Sequence, residues 1–395
     1  MTNDDIIKAA FKVWGRELYR TTSLTEIAQE LGVSKPALYR HFRDKDALLD
    51  AMYSSYFDDC ANFIKNGYEK AVAAPSGKEM YLILTRTIGE YYALNREAFV
   101  FSLIQVYNSR DSKDAEMEFC ARGIDFKLLA RGTAFYPSAM QLVMATLIFC
   151  VANFHHHENK NGGAPSNELV DSVLAQIEDR IEKGMGLDAG KVAALNYENL
   201  ERQAAAMVYE DTETNALLRA VAEAVAEAGP WDASMEMVAR RSGLSKSGLY
   251  AHFKNRQDML SQLFISEFTR IVNFTRTQIE TTEESEEQLY LAIISIADYL
   301  RSRPEILVAI NWIKTRRLDL GKEVSGRLFR IIGSIKMEAI RNYDQHLLVW
   351  AAQWILFMIV NILALWPSKN PAEISNESFR LLFRFIALGL EGLDL

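Results

Sequence analysis

The stretch Gly32–Leu49 reads GVSKPALYRHFRDKDALL, and Gly243–Leu260 reads GLSKSGLYAHFKNRQDML. They align without a gap at an offset of 211 residues, and eight of the 18 positions are identical: Gly, Ser, Lys, Leu, Tyr, His, Phe and the final Leu. That much identity in one register marks an internal duplication, which constrains the fold before any other feature does. Each copy reads as a turn followed by a short helix. Gly32 and Gly243 each close an apolar-periodic helix, where a residue with φ > 0 is wanted. Ser34 and Ser245 are expected to cap the next helix. Leu38 and Phe42, and in the second copy Leu249 and Phe253, lie four residues apart on one face and are expected in the core. Lys35, Pro36, Ala37 and Arg40 are left on the outer face, against Lys246, Ser247, Gly248 and Ala251. Helix, glycine turn and short helix with a small, polar outer face is the helix-turn-helix pattern. Its second helix enters the DNA major groove by its N-terminal end.

The run Ile27–Leu49, with Ile-Ala, then Gly-Val-Ser, Leu-Tyr-x-His-Phe and a final Leu-Leu, resembles the tetracycline-repressor-like (TetR) family of bacterial transcription regulators. Val238–Leu260 resembles it too, with Arg256 where the family usually has Lys. Both copies have the upstream helix that the family pattern wants, at Ile6–Trp14 and Ala216–Val225; Leu18 replaces a usual Gly, while Gly229 is kept. The resemblance implies an all-α chain of two tandem units. Each would have a helix-turn-helix domain of three helices and a helical regulatory and dimerisation body. It also assigns roles. Tyr39, His41 and Lys45, with Tyr250, His252 and Arg256, match positions that anchor the DNA backbone. Ser34, Lys35, Pro36, Ala37 and Arg40, with Ser245, Lys246, Ser247 and Gly248, belong to the two DNA-reading surfaces. Relatives pair as homodimers through the last two helices of the body. The resemblance therefore implies an intramolecular pseudo-dimer, a monomer in which Ser138–Phe154 and Asn167–Ile181 pair with Leu347–Leu365 and Asn376–Leu390. The implied partners are a double-stranded DNA operator and a small-molecule effector.

Charge distribution agrees with DNA binding better than the total does. The net charge is −8, yet residues 1–50 hold eight basic and eight acidic side chains, and residues 213–260 hold six of each. Ser34–Lys45 carries Lys35, Arg40, Arg43 and Lys45 against Asp44, and Arg240–Arg256 carries five basic residues and no acid. These are two basic patches on an acidic body. The chain is 49% hydrophobic and 24% charged, as in soluble globular proteins. Cys60, Cys120 and Cys150 are odd in number and widely spaced, which suits free thiols in a reducing cytoplasm. The acidic start MTNDDIIK lacks an apolar signal region, so a cytoplasmic location is expected.

No strand alternation or hairpin turn appears along the chain. The divisions expected are a first helix-turn-helix domain over 1–50, a first body over 51–184 and a partly helical linker over 185–211. A second helix-turn-helix domain over 212–260 and a second body over 261–395 follow. Helices are expected near Asp4–Leu18, Leu24–Leu31, Asp44–Ile64, Lys78–Leu94, Arg96–Tyr107, Ala115–Leu129, Ser138–Phe154 and Asn167–Ile181. In the second copy they are expected near Asn215–Ala228, Ser234–Arg241, Lys246–His252, Gln257–Ile279, Glu286–Arg301, Arg303–Leu318, Gly321–Tyr343, Leu347–Leu365 and Asn376–Leu390. Ser166-Asn167-Glu168 and Ser375-Asn376-Glu377 open the last helix of each half, so the duplication covers the whole chain.

Other conspicuous residues have plainer readings. Leu347–Trp366 is 20 residues without a charge, long enough for a membrane span. Gln353 and Asn361 lie within it, and a helix buried at an interface explains it without a membrane. His155-His156-His157 point about 100° apart on a helix, a poor ligand set, and read as a solvated helix end. Tyr91, Tyr92, Phe101 and Tyr107, with Tyr299, Trp312, Trp350 and Trp354, suit a core; the family resemblance makes them candidates for lining an effector pocket. No hydrolase, zinc-protease, P-loop or dinucleotide-binding motif is present, so neither an enzyme nor a cofactor is expected. The function expected is a ligand-responsive repressor reading an asymmetric operator. The alternative is an interaction or ligand-sensing protein in which one or both heads no longer bind DNA; Gly248 and Ala251 make the second copy the one to suspect.

Overall fold

The computed structural model describes residues 2–16, 23–106, 112–129, 138–158, 165–206, 216–316, 326, 330, 333–335, 345–364, 371–393 and 395. They are helical, with no strand among them. Tyr107 and most of the helix expected at Gly321–Tyr343 lie outside the described residues, as does the side chain of Trp312.

The first head is α1 (Asn3–Arg16), α2 (Leu24–Glu30) and α3 (Lys35–Tyr39). Ser23 and Glu26 form a reciprocal capping box at the start of α2. Gly32 then takes φ 66°, the left-handed turn that a side chain would resist. The second head repeats this with α12 (Ala216–Asp232, kinked at Gly229), α13 (Met235–Ser242), Gly243 at φ 69° and α14 (Lys246–His252). Leu38, Phe42, Leu249 and Phe253 are buried, as their spacing requires. The serine caps differ. Ser245 Oγ accepts from the Gly248 N–H at 3.0 Å, whereas the Ser34 side chain makes no capping bond. Pro36 has no N–H to offer, and the Ala37 N–H goes to the Ser34 carbonyl at 2.9 Å.

A long helix leaves each head. α4 (Lys45–Val72, 28 residues) is capped by Asp44, and α15 (Arg256–Ile279, 24 residues) by Asn255. α4 runs two turns beyond the expected Ile64, with Tyr68 and Ala71 continuing its buried stripe. After α4 come α5 (Gly77–Leu94), α6 (Arg96–Phe101), a π-helical turn over Ser102–Val106, α7 (Ser112–Ala121), a 3₁₀ turn at Phe126–Leu129, α8 (Ala139–Glu158) and α9 (Asn167–Lys183). The single helix expected over Ala115–Leu129 is broken, because Gly123 adopts φ 84°. Between α9 and α12 lie α10 (Ala189–Ala193) and α11 (Tyr197–Ala206). After α15 the described residues form α16 (Ser285–Ser302), α17 (Pro304–Arg316), α18 (Gln345–Ala364) and α19 (Asn376–Leu388), with a 3₁₀ turn over Gly389–Leu393.

The chain divides into two compact units, one of residues 1–133, 147–179 and 395, the other of residues 134–146 and 180–394. In the first unit α4 packs along α5, and α1 rests on α2, α4 and α6. In the second, α15 packs along α16, α12 along α17, and α18 against α16, α17 and α19. The first turns of α8, residues 139–146, belong to this second unit. There the Trp354 indole Nε1 of α18 donates to Thr146 Oγ1 at 3.1 Å, and the Thr146 hydroxyl faces Met358 Sδ at 3.7 Å. Ala139–His156 and Leu347–Ala364 are apolar enough to span a membrane on length alone, but 61% and 56% of them are buried in the protein. Trp354, Ile355, Met358 and Ile359 are core.

Candidate nucleic-acid interface

Burial of Leu38 and Phe42 turns the remaining faces of α3 outward. Ser34, Lys35 and Pro36 are exposed, Ala37 is half-buried, and Tyr39 and Arg40 are exposed. Lys35 Nζ lies 5.9 Å from the centre of the Tyr39 ring, so cation and phenol share one edge of the helix. Arg40 is the C-cap of α3 and keeps right-handed geometry at φ −73° and ψ −22°. His41 Nδ1 is 2.7 Å from Asn3 Oδ1. A carboxamide oxygen can only accept, so Nδ1 carries the proton, and this contact ties the end of the reading helix to the start of α1.

Lys45 occupies the first turn of α4, where an ammonium opposes the helix dipole. It is half-buried, with Nζ 5.9 Å from the Trp14 ring. Burial lowers its pKa, against the raising influence of Glu26 and Asp46. Arg43 pairs with Asp44 at 3.0 Å in an exposed bridge. The second head presents Ser245, Lys246, Ser247, Tyr250, Ala251 and His252 as exposed residues, with Gly248 and Arg256 half-buried. Asn255 replaces Asp44 as the cap, with Oδ1 accepting from the Asp258 N–H at 2.9 Å, so one negative charge is absent from this edge. Arg241, one of the expected basic residues, is engaged by Glu227 and by Glu223 at 3.8 Å. It is held within its own head.

The aromatic candidates fall into separate clusters. Tyr91, Tyr92 and Phe101 are buried in the first body and joined through Tyr56, whose hydroxyl is 2.8 Å from that of Tyr92. Phe101 also meets Phe11 of α1 edge-on at 5.0 Å. In the second body Trp354 is fully buried, Trp350 is half-buried 5.5 Å from it, and the Arg180 guanidinium lies 5.4 Å from the Trp350 ring. Tyr299 donates its hydroxyl to Glu267 Oε2 at 2.6 Å.

Sequence reading missed the group that Tyr299 belongs to. Glu267, 2% exposed, also pairs with Arg303 Nη2 at 3.4 Å, and Arg303 Nε donates to Glu305 Oε1 at 2.6 Å. Arg303 Nη1 is buried without a hydrogen-bond partner among the described residues. Glu267 falls at helical spacing among Leu263, Phe264, Phe268 and Ile271 on the buried face of α15, which was the available signal. His155 corrects another expectation: it is buried, not solvated, with Nε2 2.8 Å from the Tyr92 carbonyl. α8 continues to Glu158, which carries the first histidine into the core. No cluster of His, Cys, Asp and Glu fit to hold a metal occurs among the described residues.

The sequence profile of the family described as bacterial regulatory proteins, tetR family, matches residues 6–52 and again residues 217–263. The chain thus carries two TetR-like helix-turn-helix units in tandem. It is 34% identical over 87 residues to the uncharacterized HTH-type transcriptional regulator YerO of Bacillus subtilis, covering 22% of this chain and 29% of that protein. It is 22% identical over 146 residues to the uncharacterized HTH-type transcriptional regulator MT1294 of Mycobacterium tuberculosis, covering 36% of this chain and 70% of that protein. A solved structure of the transcriptional regulator FadR from Bacillus subtilis, in complex with stearoyl-CoA, aligns with a TM-score of 0.36 and 22% identity. It covers 42% of this chain and 96% of that one. The family match covers the two TetR-like helix-turn-helix units, and the chain spans under a third of the length of YerO.

Proposed function

We propose that the chain works as a monomeric pseudo-dimer, a ligand-responsive repressor whose two heads read the unlike halves of one operator. The observation that carries this reading is the divergence of the two reading faces on a common frame. Both heads hold a Tyr and a His beside the reading helix and a Lys or Arg opening the next helix. Where bases are met, the first offers Lys35, Pro36, Ala37 and Arg40, and the second Lys246, Ser247, Gly248 and Ala251. Arg40 can give a bidentate contact to guanine, worth about 1–3 kcal/mol of discrimination, whereas Ala251 offers only a methyl group.

Internal pairing is supported by the seam in the second unit, where Trp354 of α18 meets Thr146 of α8. We read 1–50 and 212–260 as the heads, and 51–184 and 261–395 as the bodies. Effector responsiveness is supported by the buried group of Tyr299, Glu267 and Arg303, where Arg303 Nη1 has no hydrogen-bond partner among the described residues and a bound acceptor would satisfy it. Release would act through α4 and α15. α4, with 28 residues, is about 42 Å long, so each degree of tilt moves a head by about 0.7 Å. Selection from random DNA with the purified chain tests the reading. The expected product is an asymmetric site with half-sites about one helical turn apart or slightly more. A perfect palindrome would overturn it.

A further inference from the structure

The connector between the copies is built into the second body. Three sets of contacts place it there. At its start, the Met185 and Leu187 N–H groups donate to the Ile386 and Ala387 carbonyls at 2.7 and 3.1 Å. Gly184 sits so close that a Cβ would lie 2.5 Å from Gly389 N and from the Ile386 carbonyl oxygen. Midway, Glu201 of α11 holds Arg380 of α19 through two bonds, 2.7 Å to Nε and 2.9 Å to Nη2, and accepts the Tyr290 hydroxyl at 2.5 Å. Tyr197 packs edge-on against Tyr290 at 4.9 Å and carries the Arg380 guanidinium 5.6 Å from its ring. At its end, the Ala204 carbonyl accepts from Gln278 Nε2 at 3.4 Å, and Gln203 bonds Thr281. Gln278 and Thr281 mark the far end of α15, the helix that leaves the second head.

Comparing the copies shows that the second body has adapted to this cover. α5 and α16 are both 18 residues long, so Arg86 corresponds to Ile294. Aligning the Ser-Asn-Glu starts of α9 and α19 matches Asp171 with Arg380 and Glu178 with Ala387. In the first copy Arg86 closes this face with its own ion pairs, 2.7 Å to Glu178 and 3.1 Å to Asp171, open to water. In the second copy Ile294 and Ala387 are fully buried. The arginine now stands on the last helix, and its carboxylate is supplied by the connector. A bidentate guanidinium–carboxylate pair this enclosed needs both members, since either one left alone is a poorly solvated charge.

We propose that residues 185–206 are a strap that completes the second body and restrains the far end of α15, and through it the second reading head. The first head hangs from α4, whose body closes the matching face without the strap's carboxylate. Hydrogen exchange of the full chain, read by mass spectrometry, tests this without DNA, so its outcome is separable from that of the operator reading. In the wild type, 197–206 should be protected to the level of α16. Glu201→Gln should raise exchange about tenfold in 197–206 and 276–290, the scale of one lost charge-assisted bond, and leave 45–72 unchanged. Gln203→Ala, which touches only the exposed bond to Thr281, should raise exchange at 278–281 in a fully folded chain. Unprotected wild-type exchange across 197–206, or unchanged exchange at 276–290 in both variants, would overturn the proposal.

Discussion

The seam between the first turns of α8 and α18 rests on an arrangement that a double-mutant cycle can measure. Trp354 is fully buried, and its indole N–H donates to Thr146 Oγ1 at 3.1 Å across 208 positions of sequence. Thr146 is itself fully buried and faces Met358 Sδ. Trp354→Phe removes the donor and part of a buried ring, for a loss of about 2–3 kcal/mol. Thr146→Val keeps the shape but strands the indole N–H, for about 1–3 kcal/mol. With Phe already at 354 there is no donor to strand, so the valine change should cost less. The coupling should be about 1 kcal/mol, the double variant being more stable than the sum of the two losses. Urea unfolding of the four proteins, followed by far-UV ellipticity and compared at equal slope, reads these differences. Additive losses, within about 0.3 kcal/mol, would show that indole and hydroxyl do not meet and that this seam is not built as described.

Other outcomes follow from the geometry. Lys45→Ala or Arg256→Ala should weaken binding to all DNA sequences alike and lower the salt slope by about one unit; a changed base preference would contradict a backbone role. Arg40→Ala should relax specificity in one half-site, which sequence selection with the variant reads. Gly389→Ala should destabilise the chain by roughly 3 kcal/mol or more, because φ is 63° and a Cβ would overlap the Glu182 carbonyl; urea unfolding checks it. Burial pushes the Cys60 thiol up to about 12, so at pH 8 a thiol reagent should modify exposed Cys120 first and spare Cys60 in the folded protein. Burial raises the Glu201 carboxyl, but hydrogen bonds from Arg380, Tyr290 and Asn376 bring it below its ordinary 4.5. The folded value is the lower one, so its stabilisation holds above pH 4.5 and fades as pH falls through the folded value. Glu201→Gln should flatten that acid limb of the stability profile.

What was legible in the sequence was local and periodic. Gly32 and Gly243 announced left-handed turns, and the four-residue spacing of Leu38 and Phe42 fixed the inward face of α3. The Ser-Asn-Glu runs that open α9 and α19 were legible in the same way. What was not legible depended on partners distant in sequence. Nothing near Glu201 announces Arg380, so the connector read as a linker and not as part of a body. His155 looked like one of three solvated histidines until the Tyr92 carbonyl supplied its partner. Ser34 read as a cap by residue type, but the proline two positions on moved the hydrogen bonding to the backbone. Glu267 lies on the buried stripe of α15, but nothing near it announces Arg303, and only packing α15 along α16, whose C-cap is Arg303, makes them a buried pair.

The most direct test of the central claim is the mass of the protein bound to a selected DNA duplex in sedimentation equilibrium. One chain that supplies both heads predicts a single 44.8 kDa polypeptide per duplex, with both half-sites protected. Two chains per duplex, each protecting one half-site, would contradict the pseudo-dimer and require the heads to pair between molecules.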